Sequence, residues 1–251
     1  MAQMTLDDLV GQLRQMHGGR LHCVLLYGSA ATGEQLGRQS DLNVLVLVDT
    51  IDPNQLGALS QTARAWEEAG NPPPLELTVR EWLRSADIFP MEYADILERH
   101  RVMHGSLPTE GLTVQLADLR RQTEYEAMSK VLRLRQGIMR VGSDVKQQKA
   151  LLSASHSTLM VVCRAAVRTT GERAPADRAE LISRAAALAG FDERPFQRVL
   201  ILVRGGTDVS AAEAEQLLFG TLAGMERLTE WLDAQVPHPG RPESAGVADA
   251  V

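Results

Sequence analysis

The sequence predicts an α+β protein in which a sheet with flanking helices comes first and a helical bundle follows. Two apolar runs of strand length, residues 21–27 and 42–48, lie close together near the N-terminus. A shorter segment, residues 75–79, alternates between apolar and polar side chains as a half-buried strand does. From residue 109 onward, apolar residues recur instead at the spacing of amphipathic helices.

This change of period predicts a domain boundary near residue 108. We expect a sheet-containing domain over residues 1–108 and a helical bundle over residues 109–236. The last segment, residues 237–251, is rich in proline, glycine, alanine and serine and lacks periodic apolar content, so we expect a disordered tail.

Capping and breaking residues delimit the elements of the first part. Thr5 can cap a helix that stops at Gly18, and Pro53 suits the first turn of a helix that continues to Trp66. The predicted elements in chain order are a helix over 5–17, a strand over 21–27, a helical turn from 29, a strand over 42–48, a helix over 53–66, a strand over 75–79, a helical turn over 89–96 and an edge strand over 100–104.

Five long helices are predicted for the second part. Gly142 stops the first of them, Asp144 can cap the second, and Ser210 with Glu213 forms a capping box for the last. The predicted helices cover residues 113–141, 145–167, 176–189, 192–204 and 210–232. Because their connections are short, they predict a compact bundle.

Composition excludes several classes of protein. The chain has 251 residues, of which 44% are hydrophobic and 23% charged, as in ordinary globular proteins. No uninterrupted apolar run approaches the length that crosses a bilayer, and no leader pattern is visible at the N-terminus. Cys23 and Cys163 lie in apolar stretches, which predicts two buried thiols in a reducing compartment. The net charge of −6 argues against binding to a nucleic-acid backbone, and we expect a cytoplasmic protein.

The chemistry-bearing residues cluster around the first two strands. Gly28 and Ser29 form a corner after the first strand, where a missing β-carbon and donor groups suit a phosphate. Ser40 and Asp41 open the second strand. Asp41 and Asn43 project from one face of that strand, because side chains alternate along it, and their oxygens could share a cation.

This arrangement resembles the signature of the nucleotidyltransferase superfamily related to DNA polymerase β. The resemblance rests on the Gly28-Ser29 corner, the connection that follows it, and the segment from Ser40 to Val48. It implies a mixed sheet, nucleotide contacts at Gly28, Ser29 and Ser40, and metal ligation at Asp41. A helical bundle behind such a core also resembles kanamycin-type nucleotidyltransferases, although this second likeness concerns architecture only.

The sequence departs from the family pattern at Asn43, where the family's second carboxylate falls. An amide oxygen can coordinate Mg²⁺ but brings no charge and bridges two ions poorly. The fold implies a third carboxylate on a neighbouring strand. Glu76 is the only acid on that strand, and we assign it a catalytic and metal-binding role. Glu92 and Asp95, three residues apart on a helical turn, remain alternatives to it.

The resemblance implies a transferase that moves a nucleoside monophosphate from a nucleoside triphosphate to a hydroxyl of a small molecule or protein. It also implies Mg²⁺ or Mn²⁺ at Asp41, Asn43 and Glu76. The alternative is a weak or inactive member of the fold, with Asn43 in place of an acid, that serves as a nucleotide-binding or regulatory, antitoxin-like module. The nucleotide, the acceptor and the oligomeric state, monomer or homodimer, are left open.

Two further features have simpler explanations. His156 falls on an apolar helical face, which is typical of a core histidine. A basic group on the first long helix could meet a triphosphate, but a solvated helix face explains it better. That group comprises Lys130, Arg133, Arg135 and Arg140.

Overall fold

A mixed four-stranded sheet forms the centre of the N-terminal half. The computed structural model describes residues 3–32, 41–206 and 208–235. The strands are β1 (Leu21–Tyr27), β2 (Asn43–Val48), β3 (Leu75–Thr78) and β4 (His100–Gly105), in the spatial order β3-β2-β1-β4. Strand β1 pairs antiparallel with both β2 and β4, whereas β2 pairs parallel with β3. The predicted edge strand, β4, therefore lies at an edge of the sheet.

The helices of the N-terminal half cover both faces of this sheet. They are α1 (Leu6–His17), α2 (Ser29–Thr32), α3 (Pro53–Ala58), α4 (Ser60–Glu68), α5 (Val79–Arg84) and α6 (Pro90–Glu98). Thr5 caps α1 through a capping box with Asp8, as its position predicts. The helix predicted over 53–66 is two helices that meet at Leu59. Helix α5 was not predicted, because its six residues are too few to show a period.

Alternation along the strands separates two cores. Val44, Val46 and Val48 of β2 pack with Leu9 of α1 and Trp66 of α4 on one face of the sheet. On the other face, Leu45 and Leu47 pack with Trp82, Tyr93 and Ile96 from α5 and α6. Both faces of the central strands are therefore buried, which explains the continuous apolar runs in their sequences.

The C-terminal half is a bundle of five helices, as predicted. They are α7 (Leu116–Val141), α8 (Val145–Arg168), α9 (Arg178–Ala189), α10 (Arg194–Val203) and α11 (Ala211–Asp233). Helix α8 packs against all four others. Cys163 is fully buried in the bundle and Cys23 in the sheet, and both are free thiols, which confirms their predicted burial. The α+β class of the chain is confirmed, while the predicted tail lies outside the described residues.

Helix α8 is long and apolar enough to cross a membrane by length and composition alone. However, α8 packs among the other helices of the bundle. It buries Arg164 and Arg168 along with its apolar residues. The apolar character of α8 is therefore explained by packing inside the bundle.

His156 of α8 lies in the bundle core, which fits the structural role expected for it. The residue is 2% exposed, and its Nε2 has no hydrogen-bond partner within the described part of the chain. Burial lowers the pKa of His156 to about 4, and the neighbouring positive charges of Arg178 and Arg204 act in the same direction. The folded protein therefore holds this ring neutral.

We expect the stability of the protein to fall as pH decreases from 6.5 toward 4. In this window the unfolded chain binds a proton at position 156, with an ordinary histidine pKa of 6.5, whereas the folded chain does not. The loss attributable to His156 reaches up to about 3 kcal/mol. Urea unfolding at several pH values should show it, and His156→Gln should flatten the slope.

Candidate functional site

The corner after β1 has a backbone that requires glycine. Gly28 has φ +78°, in the left-handed region that other residues adopt at a cost. Its N–H donates to the Arg99 carbonyl at 3.0 Å, and its carbonyl accepts from Ala31 N–H at 3.1 Å. The short helix α2 begins at Ser29. From the sequence, the missing β-carbon of Gly28 was linked to the approach of a phosphate. The positive φ already explains why this residue is glycine.

Three polar side chains from different elements converge on this corner. A β-carbon placed on Gly28 would lie 3.7 Å from Asn43 Nδ2, 3.9 Å from Asp95 Oδ2 and 4.0 Å from Arg99 Nη2. Asn43 begins β2, Asp95 lies on α6, and Arg99 follows α6. The corner is therefore an assembled polar site, with both signs of charge present.

A cleft of about 480 Å³ opens from this corner toward the helical bundle. Its volume lies in the range of small-molecule sites. One wall comes from the corner, the start of β2 and α6, and the other from α8 and the start of α9. The lining residues are Tyr27, Gly28, Ser29, Asp41, Asn43, Met91, Glu92, Asp95, Arg99, Ser157, Met160, Val161, Arg164, Ala165, Arg168 and Arg178.

Most of the predicted site residues meet in this cleft. Gly28, Ser29, Asp41 and Asn43 all line it. Asp41 is exposed and Asn43 is half-buried, and Asn43 lies opposite Tyr27 in the ladder of β1 and β2. Ser40, the third predicted nucleotide contact, lies outside the described residues.

Glu76 is the exception, and its predicted role needs correction. It pairs in register with Val46, so it lies on the α1 face of the sheet, opposite the face of Asn43 and Leu45. Its Oε2 is 3.7 Å from Nε2 of His17 on α1. The sequence identified the strand and its alternation, but it could not show which face of β3 meets the cleft.

The contact of Glu76 with His17 is not a full ion pair. Burial raises the pKa of Glu76, and burial together with Arg20 lowers the pKa of His17. Both shifts favour the uncharged forms, so the distance alone overstates the charge interaction. Glu76 therefore belongs to the packing beneath α1.

The alternative acids, Glu92 and Asp95, do line the cleft. Glu92 accepts a hydrogen bond from Gln122 Nε2 of α7 at 3.0 Å. Asp95 accepts from Arg168 Nη2 at 3.0 Å and lies 3.6 Å from Arg99 Nε. Their three-residue spacing correctly placed them on one helical face.

Four arginines face three carboxylates in the lining of the cleft. The arginines are Arg99, Arg164, Arg168 and Arg178, and the acids are Asp41, Glu92 and Asp95. Glu98 lies outside this lining but 2.7 Å from Arg168, so four acids accompany the four arginines. Guanidinium groups that face a cleft suit an anionic ligand such as a triphosphate.

Sequence reasoning missed these arginines, although a signal was present. Arg164 and Arg168 stand four residues apart within an apolar stretch of α8 and are 6% and 5% exposed. Arginines are rarely buried without partners, so their presence in an apolar helix indicates anions nearby. Arg168 bonds to Asp95 and Glu98 of α6, and Arg164 Nη1 donates to the Pro175 carbonyl at 2.8 Å.

The acids of the cleft also affect Tyr27. Burial raises the pKa of the Tyr27 hydroxyl, and the charges of Glu92 and Asp95 act in the same direction. The hydroxyl therefore stays protonated at neutral pH and can donate a hydrogen bond into the cleft.

The basic group on α7 lies elsewhere. Lys130, Arg133 and Arg140 line a separate hollow between α7 and α8, and Lys130 pairs with Glu126 at 2.7 Å. A third hollow, of about 530 Å³, lies between α7 and α11 around Tyr125 and Met128. Neither hollow contains residues of the Gly28 corner, so the basic group on α7 does not lie at the motif.

The donor groups of the cleft fit one magnesium ion better than two. Within the described ranges, no group of three or more His, Cys, Asp or Glu side chains is arranged to hold a metal ion. Asp41 offers a carboxylate and Asn43 an amide oxygen. Magnesium keeps several waters and commonly takes one or two carboxylates plus substrate phosphates, and the Asp41 carboxylate is a ligand of this type. Asp95 is already in contact with Arg168 and Arg99.

Comparison with known proteins supports the fold. No protein-family model matches the chain, and no curated protein matches it. Among solved structures, it resembles the spectinomycin adenyltransferase AAD(9) from Enterococcus faecialis, crystallised with ATP and spectinomycin. The match has a TM-score of 0.55 at 14% sequence identity and covers 90% of this chain and 98% of that one. The chain has the nucleotidyltransferase fold. The predicted resemblance is thus confirmed as a statement about fold, and the match extends over both the sheet and the bundle.

We expect Gly28→Ala to lower the free energy of unfolding by about 1–2 kcal/mol, because alanine is strained at a positive φ. Gly19→Ala is the matched control, since nothing lies within 4 Å of its added methyl group and its φ is not in the left-handed region. Urea denaturation of both variants tests this. Equal effects of the two changes would contradict the role given to the backbone of Gly28.

Proposed function

We propose that this protein transfers a nucleoside monophosphate from a nucleoside triphosphate to a hydroxyl group of a small molecule. The observation that supports this most is the placement of Asp41 and the Gly28 corner in one cleft with four arginines. The fold agrees with the proposal, since the similar structure is that of an adenyltransferase crystallised with ATP and spectinomycin.

The phosphates would lie against the corner, near Ser29, Arg99 and Arg168. Guanidinium groups bind phosphate oxygens in pairs and keep their charge at any physiological pH. Asp41 and Asn43 would hold Mg²⁺ or Mn²⁺, which supplies charge neutralisation to the triphosphate. Positioning and neutralisation are the main requirements of this reaction, because the protein forms no bond with the substrate.

Glu92 is the best-placed group to accept the proton of the acceptor hydroxyl. It lines the cleft, and no ion pair to it is formed within the described chain, whereas Asp95 is held by Arg168. As the hydroxyl oxygen bonds to the α-phosphorus, its proton passes to Glu92. The bond from the α-phosphorus to the oxygen that bridges to the β-phosphate breaks, and pyrophosphate leaves.

The acceptor would occupy the part of the cleft formed by the bundle. Met160 and Val161 of α8 supply apolar surface there, beside Ser157. A cleft of about 480 Å³ accommodates a small molecule more readily than a protein segment. Adding a protein extract to the labelling experiment below would detect a protein hydroxyl as acceptor.

A second function is supported by a specific feature of the site. Asn43 lacks the charge of a second carboxylate, and Asp95 is neutralised by arginines. A site of this kind could bind nucleotide without turnover and serve a regulatory role. The two functions differ in whether product forms.

We expect labelled product when the protein is incubated with α-labelled nucleoside triphosphates, Mg²⁺ or Mn²⁺, and a small-molecule extract. Asp41→Asn should abolish it, and Glu92→Gln should lower the rate about 100-fold or more. Glu76→Gln is the control, because Glu76 lies on the other face of the sheet. Product that persists in Asp41→Asn, or a loss in Glu76→Gln as large as that in Glu92→Gln, would contradict this assignment.

We expect Asn43→Asp to separate the two functions. If the wild-type protein binds nucleotide but forms no product, and this substitution creates turnover, the binding function is correct for the natural protein. Robust turnover by the wild type excludes it. Product formation and manganese binding, measured in parallel, provide the two readings.

A further inference from the structure

Two guanidinium groups contact Asp95, the carboxylate of α6 that a second metal ion would need. Asn43 stands where the family resemblance places a second carboxylate. Asp95, whose Oδ2 would lie 3.9 Å from a β-carbon on Gly28, contacts Arg168 at 3.0 Å and Arg99 at 3.6 Å. A divalent cation bound to Asp95 would face both guanidinium groups at close range, and like charges repel strongly where burial limits screening.

Arg168 is held in place by several bonds and is not a mobile surface residue. Its side chain is 5% exposed. Its Nε donates to Glu98 Oε2 at 3.0 Å, and its Nη2 donates to Glu98 Oε2 at 2.7 Å and to Asp95 Oδ1 at 3.0 Å. These bonds engage Nε and Nη2, and within the described residues Nη1 carries no protein hydrogen bond. An arginine that lines a cleft with donors to spare can bind an anion there.

Arg99 is tied to the phosphate corner through its main chain. Its carbonyl accepts the N–H of Gly28 at 3.0 Å, and its Nη2 lies 4.0 Å from the position of a Gly28 β-carbon. The side chain is 11% exposed. The guanidinium is thus positioned by the same turn that would receive the phosphates.

We propose that the guanidinium groups of Arg99 and Arg168 take the place of a second divalent cation. The inference rests on the proposed binding of a nucleoside triphosphate in this cleft. The triphosphate is neutralised by these two arginines together with one ion at Asp41, and it keeps measurable affinity when no divalent cation is present. Asp95 then serves as a positioning residue for arginines and is not a metal ligand.

Fixed guanidinium groups are chemically suited to this role. They present planar pairs of donors that match phosphate oxygens, and their charge does not depend on pH. Because Asp95 and Glu98 already orient Arg168, little side-chain freedom is lost when a phosphate binds. A site that needs only one ion does not require the negative charge that a carboxylate would have at position 43.

The test is isothermal titration with inorganic tripolyphosphate and with non-hydrolysable analogues of ATP, GTP, CTP and UTP, in excess EDTA and in Mg²⁺. Tripolyphosphate avoids any assumption about the base. The wild type should bind in EDTA, with affinity less than about 100-fold below that in Mg²⁺. Arg99→Met and Arg168→Met should each weaken binding in EDTA by about tenfold or more.

Matched variants separate loss of the charge from loss of the fold. Arg168→Met leaves Asp95 and Glu98 without their partner, so Arg168→Lys, which keeps the charge, should recover part of the binding in EDTA. Arg99→Met leaves the bonds between α6 and α8 intact. Arg135→Met removes the same charge on α7, outside the cleft, and should leave the affinity unchanged. Thermal melting of each variant shows whether it is folded.

The number of bound ions gives an independent reading. With a saturating nucleotide analogue, manganese titration followed by electron paramagnetic resonance should show one Mn²⁺ per chain. Two ions per chain, or binding of nucleotide that disappears in EDTA, would overturn the role of the arginines while leaving the proposed function standing. Absence of binding to every phosphate probe, with or without Mg²⁺, would instead refute the proposed function itself.

Discussion

The buried guanidinium of Arg168 fixes the relation between the two halves of this protein. It lies on α8, the central helix of the bundle, and bonds to Asp95 and Glu98 on α6. A cation in so little solvent must have anionic partners, since an unpaired one would be very unfavourable. The partners lie in the sheet-containing half, so the bundle is held against the sheet by the same charge that lines the cleft. Gln122 of α7 adds bonds to Glu92 and to the Met91 N–H, which strengthens the same junction.

Strand alternation is the second constraint, because it decides which polar residues share a site. Asn43 belongs to the face of β2 that packs on α5 and α6, whereas Glu76 belongs to the face of β3 beneath α1. Because the sheet is buried on both faces, side chains on opposite faces cannot meet at one site. Apart from Asp41, which precedes β2, the acids beside Asn43 therefore come from α6. This helix packs on the same face of the sheet. The constraint explains why a helix, and not the neighbouring strand, supplies Glu92 and Asp95.

The charge of the cleft differs from that of the chain as a whole. Four arginines line one cleft of a chain whose net charge is −6. The helical wall of the cleft contributes three arginines, Arg164, Arg168 and Arg178, and no carboxylate. Since α8 and α9 present only cationic, apolar and hydroxyl groups, a strongly cationic acceptor would meet repulsion on that side. Under the proposed function, this wall favours phosphate over a strongly cationic acceptor.

The sequence by itself determined the features that depend on local physics. Capping residues and glycines predicted α1 and α11, and apolar runs predicted β1 and β2. The Gly28 corner and Asp41, singled out in the sequence, both line the candidate cleft. It also predicted the order of sheet and bundle, because strand and helix periods differ plainly. Only the tertiary structure decided which face Glu76 occupies, that Glu92 and Asp95 reach the cleft, and that Arg99 and Arg168 surround it. These depend largely on contacts between residues distant in the sequence, such as Arg168 with Glu98, and no local pattern records which distant charge a side chain will meet.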